Sequence, residues 1–444
     1  MDAAETLYRE LLTRTGEATP EPRLEAVRRF AQLLGDPHAD LPVIQVAGTN
    51  GKTSTSRAIA ALLRASGLRT GLFTSPHLQS FTERFLIDGE PVEGEKLAEI
   101  WGELQPALSI VDAELKAAGK ARITFFEALA VLALAVFADE PVEVIILEVG
   151  MGGEWDATNI ATADVAVFTP IDLDHVGILG DTIAEIARTK AGIIDPGAQV
   201  VSAAQTPEAL AELRARAEAQ GATLRVEGHD FSVRDDRVAV GGRFVAVTGM
   251  AGEYPGALAP LFGAHQAQNL ALAVAAVEAF FGGDRPLGEE IIEAGFAIAD
   301  SPGRLQPIGV EPPVYVDAAH NPHGARALVA AVRESFEFTG LAVVFGALSD
   351  KDAAGVIAEL APIADLLVTT QSASPRSTPA DELTELAGRV APELETATWE
   401  SVPEALDTAR AWAAQEPGRG VLVCGSIVLV GEAITHAESE GWNE

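Results

Sequence analysis

The chain has 444 residues, 48% hydrophobic and 22% charged, which is material for two or three globular domains. Its formal net charge of -34 repels a polyanion over most of the surface and argues against nucleic acid or an anionic membrane as partner; an anionic small substrate would have to be met by local basic groups. The single cysteine, Cys424, excludes an intramolecular disulfide and any cysteine-based zinc site.

The opening MDAAETLYRELLTRTGE is acidic and amphipathic, without the basic and apolar blocks of a secretory signal. The longest apolar run, from Ala128, falls short of the ~18 residues that suggest a membrane span. A cytoplasmic enzyme is expected. Two helical patterns, one before Gly16 and one across EPRLEAVRRFAQLLG, precede a short strand over Val43 to Ala47, a glycine-rich turn and a helix from Lys52. RTGLFTSPHL reads as a second strand running into a loop, and RFLIDGEPV as a hairpin turning at Asp88-Gly89. Helical periods cover Glu95 to Ala118 and Phe125 to Ala138, followed by strands in VEVIILEVGMGG and ADVAVFTPID. The stretch DFSVRDDRVAVGGRFVAVTG alternates as an antiparallel insert, and a helix resumes at HQAQNLALAVAAVEAFF. Prolines and glycines near Asp300 mark a boundary. Beyond it PVYVDAAH, LAVVFGALSD, ADLLVTTQSA and GVLVCGSIVLV read as strands with helical patterns between them. The expectation is an α/β protein. Residues 1–299 are expected to form a mostly parallel sheet of P-loop type, and residues 300–444 a smaller Rossmann-like α/β domain.

The glycine turn runs Gly48-Thr49-Asn50-Gly51-Lys52-Thr53-Ser54. It stands between a strand and a helix, where amides at the helix N-terminus bind anions, although Val46 departs from the usual Walker spacing. Lys52 is positioned for β- and γ-phosphates, and a hydroxyl from Thr53 or Ser54 for magnesium. Polar groups recur at other strand ends, where packing does not need them: Ser75 and His77, Glu148, Asp174 and His175, with Lys190 on a nearby helix. Singly, Glu148 reads as a solvated strand end and His175 as a cap neighbour; together they suit hard oxygen ligands plus an imidazole around Mg²⁺. Arg304, at the junction, suits a phosphate clamp. Asp317, His320, Asn321 and His323 crowd the end of a later strand, and Asn269 lies on the HQAQNLALA helix. Phe125-Phe126 has the spacing of core residues.

These stretches resemble the folylpolyglutamate synthase and dihydrofolate synthase family of the Mur ligase superfamily. VAGTNGKTS, TSPHLQSFTERFLIDG, LEVGMGGEWDATN, DHVGILGDTIAEIARTKAGI, HQAQNLALA, PGRLQ, DAAHNPHGA and ALSDKD occur in the family's order, within about Pro42 to Glu432. The resemblance implies ATP and Mg²⁺ as cofactors and ATP-dependent joining of L-glutamate to dihydropteroate or reduced folates, by a monomer. It implies a triphosphate cradle from Gly48 to Ser54 with Lys52 catalytic, and magnesium ligands Ser75, Glu148 and His175. Lys190 matches a lysine that the family carbamylates, after which it supports a second magnesium. Asn269, Arg304 and Asp317 match nucleotide contacts, and His320 a residue of the reaction centre. Asp156, Lys351 and Arg376 are assigned to substrate. Glu154 stands where the family often has a basic or apolar residue, and Thr53 where the folate branch commonly has glycine. A peptidoglycan-precursor ligase would need a further N-terminal substrate domain, a non-catalytic nucleotide switch would not need the whole set of reactive residues, and a dinucleotide dehydrogenase would carry G-x-G-x-x-G.

Overall fold

The structure, a computed structural model, describes residues 2–16 and 21–442. Residues 1, 17–20 and 443–444, which fall inside the expected domain limits, lie outside the described residues. The chain divides into two compact units. The first comprises Met1–Arg237, Phe244–Pro260 and Gln266–Asp300; the second comprises Val238–Arg243, Leu261–His265 and Ser301–Glu444.

The first unit is built on eight strands: β1 (Val43–Ala47), β2 (Thr70–Phe73), β3 (Phe85–Ile87), β4 (Glu90–Pro91), β5 (Val144–Glu148), β6 (Val165–Phe168), β7 (Gln199–Ser202) and β8 (Thr223–Val226). Their order is β4-β3-β2-β5-β1-β6-β7-β8. From β2 to β8 every pairing is parallel, while β3 and β4 add an antiparallel edge. Parallel sheets are covered on both faces, which explains why VIQVA, VIILE and VAVF are buried at every position. One apolar cluster joins Phe73, Ile145 and Leu147 to the helices Gly94–Ala117 and Phe125–Asp139. Another joins Ala166, Phe168 and Val200 to the helices Ile183–Lys190 and Pro207–Gln220. Phe125 is a core residue, 3% exposed. The alternating stretch after Phe231 forms a separate sheet of β9 (Ser232–Ala239), β10 (Gly242–Thr248) and β11 (Glu253–Ala259), in the order β11-β10-β9.

The second unit carries β12 (Gln306–Gly309), β13 (Val314–Asp317), β14 (Gly340–Phe345), β15 (Leu366–Thr369), β16 (Glu395–Thr398) and β17 (Arg419–Cys424), in the order β12-β13-β17-β14-β15-β16. All pairings are parallel except β12 with β13. The α/β architecture with a larger and a smaller mostly parallel sheet agrees with expectation. One element is corrected: GVLVCGSIVLV is not a single strand. The strand stops at Cys424, Gly425 adopts φ +116°, and Ser426 caps a new helix, Ile427–Ser439, by accepting from the Leu429 amide. A glycine at positive φ followed by a serine N-cap turns the chain where apolar content alone would extend it. Cys424 is buried at that strand end, and burial pushes its thiol pKa up.

Candidate active site

Strand β1 ends at Ala47, and the next residues turn into the helix Lys52–Ala65. Its cap position is Gly51, at φ +87°, and no side chain caps the helix N-terminus. A helix N-terminus with no side-chain cap turns its first-turn amides toward the loop, the arrangement that suits an anion. Both glycines are required by space as well as by φ. A Cβ on Gly48, at φ +147°, would stand 1.8 Å from the Thr169 hydroxyl, and one on Gly51 would stand 2.8 Å from Asn269 Oδ1. Thr49 fixes the turn from beneath. Its amide donates to Pro170 O (2.9 Å), its hydroxyl donates to Asp172 O (3.0 Å), and the same hydroxyl accepts from the Asp172 amide (3.0 Å).

Two lysines converge on this loop. Lys52 Nζ donates to the carbonyls of Gly48 (3.3 Å) and Thr49 (3.1 Å), and Lys190 Nζ donates to Gly48 O at 2.7 Å. Lys190 closes the helix Ile183–Lys190, which starts at a capping box: Thr182 accepts from the Glu185 amide and Glu185 from the Thr182 amide. Burial, reinforced by the Lys52 charge and opposed by Asp174 and Asp156, lowers the Lys190 pKa to about 7. Part of the Lys190 population is thus neutral amine at neutral pH.

Glu148 ends β5, beside Val46 of β1, and is 1% exposed, so it is no solvated strand end. Its Oε1 accepts from the Thr53 hydroxyl (2.8 Å) and its Oε2 from the Ser75 amide (3.3 Å). The structure thereby brings Thr53, Ser75 and Glu148 together. Among the described residues no group of three His, Cys, Asp or Glu side chains could hold a metal alone. One buried carboxylate flanked by hydroxyl-bearing residues suits Mg²⁺, which retains water and phosphate oxygens as ligands. His175, at φ +51°, follows β6; its Nε2 lies 3.7 Å from Asp174 Oδ2, and its amide donates to Asp174 Oδ1.

The TSPHL loop beside Ser75 is held by Glu83, whose carboxylate accepts from the amides of Leu78, Gln79 and Ser80. Arg84 Nε donates to His77 Nδ1 at 2.8 Å, and burial, aided by the Arg84 charge, lowers the His77 pKa to about 3. The GMGG stretch is explained by packing. A Cβ on Gly150 would meet the Phe126 ring at 2.4 Å, and one on Gly153 would meet Lys190 O at 2.6 Å. The Glu154 amide donates to Thr189 O. Asp156 is 3% exposed and accepts from the Met151 amide, the Thr158 amide and the Thr158 hydroxyl; burial raises its pKa. Its carboxylate holds the loop after β5. Asn269, on the helix Ala264–Phe280, donates through Nδ2 to Gln266 Oε1 at 2.9 Å.

In the second unit Asp317 ends β13 and accepts from the amides of Leu305 (3.0 Å) and Ala319 (2.8 Å). Burial raises its pKa, with Arg304 acting in the opposite sense. His320 Nδ1 lies 3.0 Å from Ala318 O. A carbonyl only accepts, so Nδ1 carries the proton of this hydrogen bond. Asn321 caps the helix Pro322–Ser335 by accepting from the Gly324 amide. Lys351 and Arg376 lie on the loops after β14 and β15. Those loops are joined by the Ser349 amide donating to Arg376 O and by a bridge between Leu348 and Ser377. Arg376 Nη2 donates to Asp350 Oδ1 at 2.6 Å. Thr169, Glu83, Gln266 and Asp350 escaped sequence reasoning: the last three stand inside the stretches that carry the resemblance but show their contacts only in the fold, and Thr169 meets Gly48 from a strand end remote in sequence.

The Mur ligase middle domain family matches residues 46–277, and the Mur ligase, glutamate ligase domain family matches residues 303–427. The dihydrofolate synthase/folylpolyglutamate synthase of Mycobacterium tuberculosis is 41% identical over 442 residues, covering 94% of this chain and 91% of that protein. The solved structure of M. tuberculosis folylpolyglutamate synthase complexed with ADP and AMPPCP matches with a TM-score of 0.93 at 40% identity, over 98% of both chains. That of Escherichia coli FolC in complex with DHPP and ADP matches with a TM-score of 0.85 at 32% identity, over 99% of both. With both family regions matched and full-length relatives at this identity, the chain belongs to the dihydrofolate synthase/folylpolyglutamate synthase family of Mur ligases.

Proposed function

We propose that this chain is an ATP-dependent ligase that forms an amide bond between the α-amino group of L-glutamate and the carboxylate of dihydropteroate or of a reduced folate. The observation that carries this reading is the convergence of Lys52 and Lys190 on one loop carbonyl, at an uncapped helix N-terminus beside a buried Glu148. The relatives solved with ADP, AMPPCP and DHPP support it.

A carboxylate is a poor electrophile, so its oxygen first attacks the γ-phosphorus of ATP, the bond to the β-phosphate oxygen breaks, and ADP leaves. The glutamate nitrogen then attacks the acyl carbon, the C–O bond breaks, phosphate leaves, and the nitrogen gives up a proton. Most of the acceleration is positioning and charge neutralisation. In the first unit the loop Gly48 to Ser54 holds the phosphates through its amides, and Lys52 exchanges its loop carbonyls for phosphate oxygens. Asn269 is assigned to the nucleotide. Ser75, Glu148 and His175 would hold Mg²⁺, which when bound offsets the repulsion between substrate carboxylate and triphosphate. Lys190, with its pKa near neutrality, is suited to attack CO₂ and lose a proton, and the resulting carbamate would offer a further oxygen ligand for Mg²⁺. In the second unit Arg304 and Asp317 are assigned to the nucleotide, and Nε2 of His320 to the proton leaving the attacking amine. Lys351 and Arg376 are assigned to the carboxylates of glutamate. Asp156 contributes to the acceptor side by fixing the loop after β5. We place the enzyme in the cytoplasm as a monomer, with residues 1–299 as the ATP-binding part and 300–444 as the glutamate ligase part.

The test is mass spectrometry of products from purified protein, ATP, Mg²⁺ and L-glutamate, with dihydropteroate and a reduced folate supplied separately. Addition of one glutamate to dihydropteroate establishes the synthase step, and addition to the folate establishes polyglutamylation. No addition to either overturns the reading.

A further inference from the structure

We infer that Asp350 is a built-in stand-in for a substrate carboxylate: it occupies the Arg376 guanidinium and is displaced when glutamate arrives. This deepens the assignment of Arg376 to glutamate and rests on it. The Arg376–Asp350 clasp is one bond, from Nη2 to Oδ1 at 2.6 Å, whereas a guanidinium offers an incoming carboxylate two parallel bonds. Both side chains are 45% exposed, so neither is locked away from a solute, and an exposed pair of this kind contributes little to stability. The clasp is also not what holds the two loops together. The Ser349 amide to Arg376 O bond (2.9 Å), the Thr378 amide to Ala347 O bond (2.9 Å) and the Leu348–Ser377 bridge do so through backbone. Arg376 can therefore change partners while its loop stays in place. Until then Asp350 keeps the guanidinium extended and satisfied, and it discriminates against weak anions, since a ligand must outbid a resident carboxylate.

The test compares the glutamate KM of the full-length enzyme, assayed with ATP, Mg²⁺ and a folate acceptor, for the parent, Asp350→Asn, Asp350→Glu, Arg376→Ala and the double variant Asp350→Asn/Arg376→Ala. Asp350→Asn is expected to lower the glutamate KM about two- to fivefold, the span of an exposed ion pair. Asp350→Glu, which keeps a resident carboxylate, should retain the parent value. In the Arg376→Ala background Asp350→Asn should have no effect. A rise in glutamate KM in Asp350→Asn would overturn the inference, because it would make Asp350 a support for Arg376 rather than its competitor. An equal fall in both backgrounds would also overturn it, by reducing the effect to general charge. An unchanged glutamate KM in Arg376→Ala alone would instead remove the assignment on which the inference rests.

Discussion

The loops after β1, β5 and β6 of the first unit and the loops after β14 and β15 of the second are built on opposite plans. In the first, charges are buried and glycines admit no side chain: Glu148 is 1% exposed, Lys190 5%, and Gly48 abuts Thr169. In the second, backbone bonds fix the loops and the charged groups stand in solvent. Under the proposed function, the difference divides the tasks of one enzyme between these loops. A triphosphate is invariant and highly charged, so its cradle is best preorganised in low dielectric. A small amino acid that enters and leaves repeatedly suits ionic contacts weak enough to exchange.

The largest expected effect strikes the rigid side. Gly48→Ala places a Cβ on Thr169 and demands φ +147° of an alanine, so glutamate addition should fall about a thousandfold with the circular dichroism spectrum retained. Near-normal turnover would show that the cradle yields, and the contrast between the regions would collapse. Glu148→Gln, which keeps shape and removes charge, should lower kcat about a hundredfold, and titration of Mg²⁺ should show a weakened dependence. A pH series isolates Lys190. Its pKa is lowered, so the ammonium prevails below about 7 and the amine above it. At fixed dissolved ¹³CO₂ the carbamate signal in NMR should climb steeply from pH 6 to pH 8 until the site saturates, because the amine fraction rises about tenfold and carbamate formation also releases a proton; a flat, low profile would remove Lys190 from that role. Thr53→Val deletes one hydroxyl on Glu148 and should cost about fivefold in turnover. The smallest effect concerns the whole surface: with a net charge of -34, added KCl should raise the thermal midpoint by a few degrees through screening.

Much of the first region was legible in the sequence because its features are local. A strand, two glycines and a lysine in register mark the strand–turn–helix that the structure contains, and apolar runs ending in Glu148 or Asp317 mark strand ends of a parallel sheet. What was not legible depends on contacts that only the fold makes. Nothing near Gly48 reveals that Thr169 blocks its Cβ; the donors to the Asp156 carboxylate are local, but only the folded loop turns them onto it. Strands β7, β8, β12 and β16 went unrecognised because QVVS, TLRV, QPIG and ETAT are short and, unlike the equally short VAVF or LLVT, dilute their apolar content with polar residues, proline or glycine. GVLVCGSIVLV misled for a different reason. Its apolar content is continuous, and only the Gly425-Ser426 pair, read as a stop and a cap, divides strand from helix.

The seclusion of Cys424 has a practical consequence. A thiol that is buried and held protonated will not react with maleimides, so the natural chain behaves as a cysteine-free background. One cysteine introduced on the surface of each unit would accept a donor and an acceptor dye without Cys424 being removed. Single-molecule energy transfer could then follow the separation of the two units through a catalytic cycle, with ATP, acceptor and glutamate added in turn.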